Sequence, residues 1–513
     1  MPTVALKSSV GKWVMASAIL ASSMAFIDGT ALNVVMPALQ KSLNATAPDL
    51  LWILNAYLLV LAALILIGGS LGDKLGRKKI LMWGIVIFMA GSAACGLSPT
   101  VNLLIAFRIL QGIGGALMIP GSLALISTSI DPAERGKAIG TWSAFTVLVT
   151  VGAPILGGAL ADWGLWRYIF FINIPIGIVT FLALWGKVNE TRDEDANHAI
   201  DFPGAAAIAL GLAAITFGFL SIPQVGFFNW ETCGSLIIGV LLLIGFIIIE
   251  AKSKNPMMPL GLFSNMTFSG VNLLTFFLYA GLGAGMLFMS LNMVQVQGYS
   301  QFQSGLTFLP FTLLMIFTSR LFGSLADKYG PRLFLIAGPA IAGAGLFILS
   351  FVKQTNGVAD YWTTFCPGIF VFGLGMAITV APLTATVMGS VSDHFSGTAS
   401  GINNAMTRIS GVFANAIFGA LAVLFFSGAL QKEIKNMPFD AKQKQTVMVQ
   451  AANLGNANAP ATLNAHDKML VAKAYHNSFI AAYANIMRLS AGLGFLGALM
   501  SILFISNKAV KKE

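Results

Sequence analysis

A ten-residue phrase is written twice in this chain, about half its length apart. Gly69-Ser70-Leu71-Gly72-Asp73-Lys74-Leu75-Gly76-Arg77-Lys78 returns as Gly323-Ser324-Leu325-Ala326-Asp327-Lys328-Tyr329-Gly330-Pro331-Arg332. Each copy lies between two long apolar runs, so it reads as a polar, glycine-rich turn joining two membrane helices. A second echo agrees: Gly136-Lys137-Ala138-Ile139-Gly140 matches Gly397-Thr398-Ala399-Ser400-Gly401. Further on, Gly158-Ala159-Leu160 matches Gly419-Ala420-Leu421 at the same offset. A repeat of this kind in a hydrophobic chain marks a transporter built from two related helical halves.

Composition sets the solvent. Of the 513 residues 56% are hydrophobic and 10% are charged, with mean hydropathy +0.80. A soluble domain carries roughly 25% charge, so this chain is dissolved in lipid. Its formal charge of +10 does not imply nucleic acid, because the basic residues sit mostly in short loops, where they orient helices in a bilayer. Cys95, Cys233 and Cys366 fall in or beside apolar segments and read as core thiols rather than a disulfide framework. His198, His394, His466 and His476 form no paired cluster, so no metal site is expected. Lys7 and Lys12 precede an apolar stretch that runs past Asp28 to about Ala38. That is long enough to span the bilayer, and an uncleaved first helix is expected rather than a signal peptide.

Apolar runs of roughly 20 residues, each about one bilayer thick, place six spans near 13–38, 50–71, 80–98, 101–127, 138–161 and 165–186. Two more lie near 203–222 and 233–250, and six near 267–292, 303–325, 333–352, 363–389, 406–427 and 478–506. The repeat phrase follows the second and the tenth span, so the second repeat begins at the ninth. The fold expected is therefore all-α and polytopic, with about fourteen transmembrane helices in a 6+2+6 plan. In segments it reads as an N-terminus (1–12), a six-helix bundle (13–186), a linker (187–202) and two inserted helices (203–250). A loop (251–266), a second bundle (267–506, with an outer loop at 428–477) and a tail (507–513) complete it. The basic residues of the turns, among them Lys74, Arg77, Lys78, Lys79, Arg135, Lys137 and Arg332, put both termini on the cytoplasmic side.

Asp28 is the sharpest chemical signal. A carboxylate in mid-helix costs roughly 2.5–3.5 kcal/mol to insert, so it is functional or paired. Arg108 of the fourth span reaches a similar depth. The functional reading is a proton-binding carboxylate tuned by burial and a cation, and the plain alternative is a static ion pair. The turn Gly69 to Lys79 has a mechanical logic. Gly69, Gly72 and Gly76 permit a tight reversal, Asp73 can accept hydrogen bonds from a helix N-terminus, and Arg77 meets the anionic inner surface. With Asp327 and Arg332 in the second copy, it reads as a conformational latch. In the fifth span Gly152, Pro154, Gly157 and Gly158 combine a kink with close packing; the repeat has Asn415 where Pro154 stands, so the halves are not mechanically equivalent. Asn33, Asn55 and Tyr57 are polar groups inside apolar spans, able to line a binding cavity or to bond between helices.

These residues together resemble the major facilitator superfamily, specifically its fourteen-helix drug:proton antiporter branch. Asp28, Thr30, Asn33 and Pro37 are similar to that branch's first-helix signature, Gly69 to Lys79 to the superfamily's inner-loop motif, and Arg108, Gln111, Gly112 and Gly114 to its fourth-helix motif. Trp166-Arg167 with Phe171-Ile172-Asn173-Ile174-Pro175, Asp201-Phe202-Pro203-Gly204 and Gly298-Tyr299-Ser300 also look branch-typical. One departure stands in the fifth helix, where the family's Gly-Pro-x-x-Gly-Gly reads Ala153-Pro154-Ile155-Leu156-Gly157-Gly158, and Gly152 is the residue expected to supply the close contact instead.

The resemblance implies a proton-coupled exporter of amphipathic or cationic drug-like compounds working by alternating access. It would sit in a bacterial cytoplasmic membrane, use the proton gradient as energy source and need no cofactor. The alternative is a same-fold transporter of a lipid, metabolite or organic anion. An enzyme is not expected, since no nucleophile–base set or nucleotide loop appears. The expected partners are the bilayer and a small-molecule substrate, with an adaptor protein left open and no nucleic acid.

Overall fold

The computed structural model describes residues 4–191, 201–391, 395–435 and 437–506; at some helical positions, among them Asp73 and Asp327, only the backbone is described. The first half contains α1 (Ser9–Leu43), α2 (Ala47–Leu75), α3 (Arg77–Leu97), α4 (Val101–Ser129), α5 (Pro132–Asp162), α6 (Tyr168–Phe171) and α7 (Asn173–Lys187). The inserted pair is α8 (Phe202–Val225) and α9 (Trp230–Lys252). The second half contains α10 (Met266–Gln295), α11 (Gln301–Leu306), α12 (Leu309–Tyr329), α13 (Arg332–Leu349), α14 (Phe365–Gly389), α15 (Ser396–Lys435), α16 (Ala441–Val449) and α17 (Ala465–Phe504).

Among the described residues thirteen spans are long and apolar enough to cross a membrane. The 31-residue α5 stands at the fifth expected position and, at 1.5 Å per residue, is about 46 Å long, so the plan of fourteen holds. α8 and α9 pack on each other, and α8 rests on α2 and α15, as an insertion between two bundles requires.

Local chemistry sets the helix ends. Thr46 and Asp49 form a reciprocal capping box at the start of α2, and Ser300 and Gln303 do the same for α11, each satisfying N–H groups that the helix leaves open. Two spans expected to be continuous are broken. The sixth divides into α6 and α7 at Ile172. The tenth divides into α11 and α12, where Pro310 occupies the first turn of α12, a place that suits a residue without an N–H. The expected outer loop 428–477 is instead largely helical. α15 runs on to Lys435, α16 follows, and α17 begins at Ala465. Asp440 and Asn464 cap the last two, and the Ala, Lys and Gln of α16 are good helix formers.

The repeat phrase performs the same manoeuvre in each half. α2 ends at Gly76 with φ +111° and α12 ends at Gly330 with φ +87°, a backbone region that side chains resist. A Cβ on Gly76 would also lie 2.6 Å from the Glu190 carboxyl carbon. Gly76→Ala is therefore expected to destabilise the purified protein by about 1–2 kcal/mol, read as a lowered midpoint in a detergent thermal melt; an unchanged midpoint would mean the turn is not conformationally demanding.

Candidate functional site

Asp28 and Arg108 meet. They are 2% and 1% exposed, and the Nη1 of Arg108 donates to Oδ2 of Asp28 in a buried ion pair. Gln111, three residues along the same face of α4, completes the arrangement. Its Nε2 donates to Oδ1 of Asp28 at 2.8 Å, and its Oε1 accepts from Arg108 Nη1 at 2.8 Å. Arg108 Nε donates to the Ile53 carbonyl at 3.2 Å, and the Tyr57 ring lies 4.4 Å from the guanidinium carbon. The same Gln111 Nε2 reaches Ser92 Oγ at 3.3 Å, which also accepts from Asn173 Nδ2 at 3.0 Å. One carboxylate thus ties α1 to α4, and through α4 to α2, α3 and α7. Both Asp28 oxygens have donors, which is the condition for a buried charge to be tolerable.

Of the other polar residues singled out in the sequence, Asn55 bonds across the two halves, its Oδ1 accepting from Asn415 Nδ2 at 3.1 Å. Asn33 is half-buried on α1 and makes no hydrogen bond to the cluster. Tyr57 is buried, its hydroxyl without a partner among the described residues. No set of three or more His, Cys, Asp or Glu able to hold a metal occurs among the described residues.

The glycines of α5 make close contacts, though not where expected: Gly158 meets α11 of the second half and Gly157 packs on α1 of its own half. Gly152 faces open space, so it does not supply the close contact; Gly157 and Gly158 do. A Cβ on Gly158 would lie 2.4 Å from the Gln301 carbonyl oxygen, and one on Gly157 3.0 Å from Ala31 Cβ. Gly305 answers from α11, where a Cβ would lie 2.6 Å from the Pro154 carbonyl oxygen. The Asp162 carboxylate then accepts from the Gln301 and Phe302 N–H groups at 2.8 and 2.9 Å. Gln295 Nε2 donates to Gln40 Oε1 at 2.7 Å, and Gln40 Nε2 to the Asn453 carbonyl at 3.3 Å. These contacts close the halves at the end of the molecule opposite the repeat-phrase turns.

At the turn, the clamp comes from a residue to which the sequence assigned no role. Glu190 accepts from the N–H groups of Lys78 and Lys79 at 2.9 and 3.0 Å, capping α3, while Lys78 Nζ donates to the Val188 carbonyl at 2.7 Å. The second half repeats the cationic part: Arg332 Nη2 donates to the Ile502 carbonyl at 2.9 Å. In both halves a cation at the start of the third helix meets the carbonyl end of the sixth, where the helix dipole favours it. Gly69 and Gly72 make only ordinary contacts. The side chains of Asp73 and Asp327 lie outside the described residues.

Sequence reasoning also missed Arg408. The span was expected to begin at 406, which left this residue at its margin. The helix begins at Ser396, about three turns earlier, so Arg408 lies well inside it, half-buried.

Two repeated six-helix halves, a pair of inserted helices and a charge cluster enclosed at mid-depth define a membrane transporter of the alternating-access type. The chain belongs to the Major Facilitator Superfamily, which it matches over residues 18–415. It is similar to the multidrug resistance protein Stp of Mycobacterium tuberculosis, with 31% identity over 84% of this chain and 80% of that one. The tetracenomycin C resistance and export protein of Streptomyces glaucescens is 27% identical over 93% and 89% of the two chains. The multidrug transporter protein MdtP of Bacillus subtilis is 30% identical over 79% and 74%. Among solved structures, a bacterial homologue of the lysosomal transporter Spinster, inward-facing and unoccupied, superposes with a TM-score of 0.64 at 18% identity over 97% and 98% of the chains.

Removing one partner of the pair leaves the other charge buried. Arg108→Ala is expected to cost about 3–5 kcal/mol of stability, and adding Asp28→Asn should recover most of that loss. Chemical or thermal unfolding of the two variants in detergent measures this; two independent, additive losses would show that the residues are not coupled.

Proposed function

We propose that this protein is a proton-coupled exporter of amphipathic or cationic drug-like compounds, working by alternating access in a bacterial cytoplasmic membrane with both termini inside. The observation that carries the reading is the Asp28 cluster. A lone carboxylate, sealed from bulk water and held by Arg108 and Gln111, is the group in the membrane interior best suited to accept a proton. The relatives named for resistance and export support drug-like cargo.

In this reading ionised Asp28 holds α1 against α4 through charge-assisted bonds. Protonation removes the charge that Arg108 neutralises, so the tie weakens and α1 is free to shift against its neighbours. The α5–α11 seam closes one end, and in this reading cargo enters from the cytoplasm, at the end that carries the turns. A proton taken up from outside then favours the opposite closure, and an equilibrium moves only as far as ligands stabilise its states differently.

The latch reading of the Gly69–Lys79 turn extends to Glu190. Capping α3 from the linker stabilises one arrangement of the turn, and Asp73 and Arg77 contribute from the turn itself. Such contacts are worth about 0.3–2 kcal/mol, enough to bias populations without touching cargo.

Two experiments test this. Asp28→Asn keeps the shape of the side chain and cannot carry the proton; it is expected to abolish gradient-driven dye efflux in proteoliposomes while expressing normally. Uncoupler-sensitive efflux at the wild-type rate in that variant would leave Asp28 a structural residue. Asp73→Asn is expected to slow transport several-fold with ligand binding in detergent nearly unchanged, and a parallel loss of binding would place the turn in the site instead.

A further inference from the structure

Among the described residues nothing neutralises Arg408. Its Nε is buried without an acceptor, and among the described residues no hydrogen bond or ion pair reaches its guanidinium. Its guanidinium carbon lies 6.0 Å from the centre of the Phe26 ring on α1, so it reaches from the second half to the first. Phe26 stands two residues before Asp28, so Arg408 reaches the helix that carries the buried carboxylate.

The missing counter-charge cannot come from a neighbouring helix. Apart from Asp28, every Asp or Glu within a helix lies within two residues of a helix end. Asp28 itself already accepts from Arg108 and Gln111. Arg320 and Arg488, the remaining arginines deep in the second half's helices, are exposed. Of the arginines deep in the second half's helices, Arg408 is thus the part-buried one, and it has no partner among the described residues. A cation this deep is costly unless it faces a polar path or a ligand, and a planar guanidinium fits a carboxylate, sulfonate or phosphate through paired N–H bonds.

We propose that Arg408 is the cargo-anchoring group, and that the preferred cargo is an amphipathic compound bearing an acidic head, its apolar part lying against Phe26. This rests on the exporter reading and narrows its substrate range. An acidic amphiphile neutralises Arg408, whereas a cationic drug meets a second positive charge and finds the one deep carboxylate already engaged. Because Arg408 belongs to the second half and Phe26 to the first, cargo seated between them touches both.

The test uses the full chain in detergent, without a gradient, and an anionic fluorescent probe, anilinonaphthalene sulfonate, beside a quaternary ammonium dye of similar size. Wild-type protein should bind the sulfonate more tightly, and an aryl carboxylate should displace it where the matched aryl amine does not. Arg408→Gln should weaken sulfonate binding by about tenfold or more while the ammonium dye binds as well or better, and Arg408→Lys should keep part of the affinity. Equal competition by amine and carboxylate on the wild-type protein, a measurement that needs no variant to fold, would overturn the proposal. So would equal loss of both probes in a monodisperse Arg408→Gln. Gradient-driven efflux of the same probes is measured separately: selective sulfonate binding without any uncoupler-sensitive efflux would sink the exporter reading and leave the anion site standing.

Discussion

A charge carried out of water into a bilayer must bring its own solvation with it. Asp28 does so through Arg108 and Gln111, with the Ile53 carbonyl and the Tyr57 ring attending the cation. Because those groups come from α1, α2 and α4, burying the carboxylate fixes the relative depth and rotation of three helices. The rest of the first half follows from that requirement: Ser92 and Asn173 extend the bonded set to α3 and α7. Hydrophobic burial cannot set such a register, since lipid is as apolar as the helices themselves. Packing geometry and polar bonds do it instead.

The two halves share a plan but not a mechanism. The turn is conserved between them in its backbone, with Gly76 and Gly330 both at positive φ, and in its cation, with Lys78 and Arg332 both meeting helix ends. The Asp28 cluster is not repeated. The second half presents the unpartnered Arg408, and the helix paired with α5 has Asn415 where Pro154 stands, bonded across to Asn55. One half holds a neutralised pair and the other a cation unpaired among the described residues.

Much of this was legible in the sequence. Hydropathy and the register of the repeat suffice for the fourteen helices and the 6+2+6 plan, because lipid imposes a length on every span. Asp28 and Arg108 stand out because charge in an apolar run is rare and costly. Counting depth on each helix put the two level, but their contact, and the part Gln111 takes in it, appear only in the structure. What stayed hidden depended on long-range geometry or on span ends. Glu190 reads as one acid in a charged linker until α3 points its N–H groups at it. Arg408 was masked because hydropathy cannot say where a helix starts when its first turns are polar. Gly152 and Gly158 are indistinguishable by composition, and only the approach of Gln301 separates them. The stretch 428–477 looked like loop because its residues are polar, although Ala, Lys and Gln form helix readily once capped.

The first helix serves two contacts that might have been kept apart. Asp28 belongs to the ion pair, and Ala31, one turn further along, is the surface on which Gly157 rests. The spacing is about 4.5 Å along the helix axis, so the acid lies one turn from the contact that carries α5, whose next residue, Gly158, meets α11 across the seam. If protonation moves α1, the seam moves with it. Linkage makes this reciprocal: whatever pries the seam open must alter the hold on the proton by the same free energy. An exporter wired this way keeps its fuel gauge and its door on one rod.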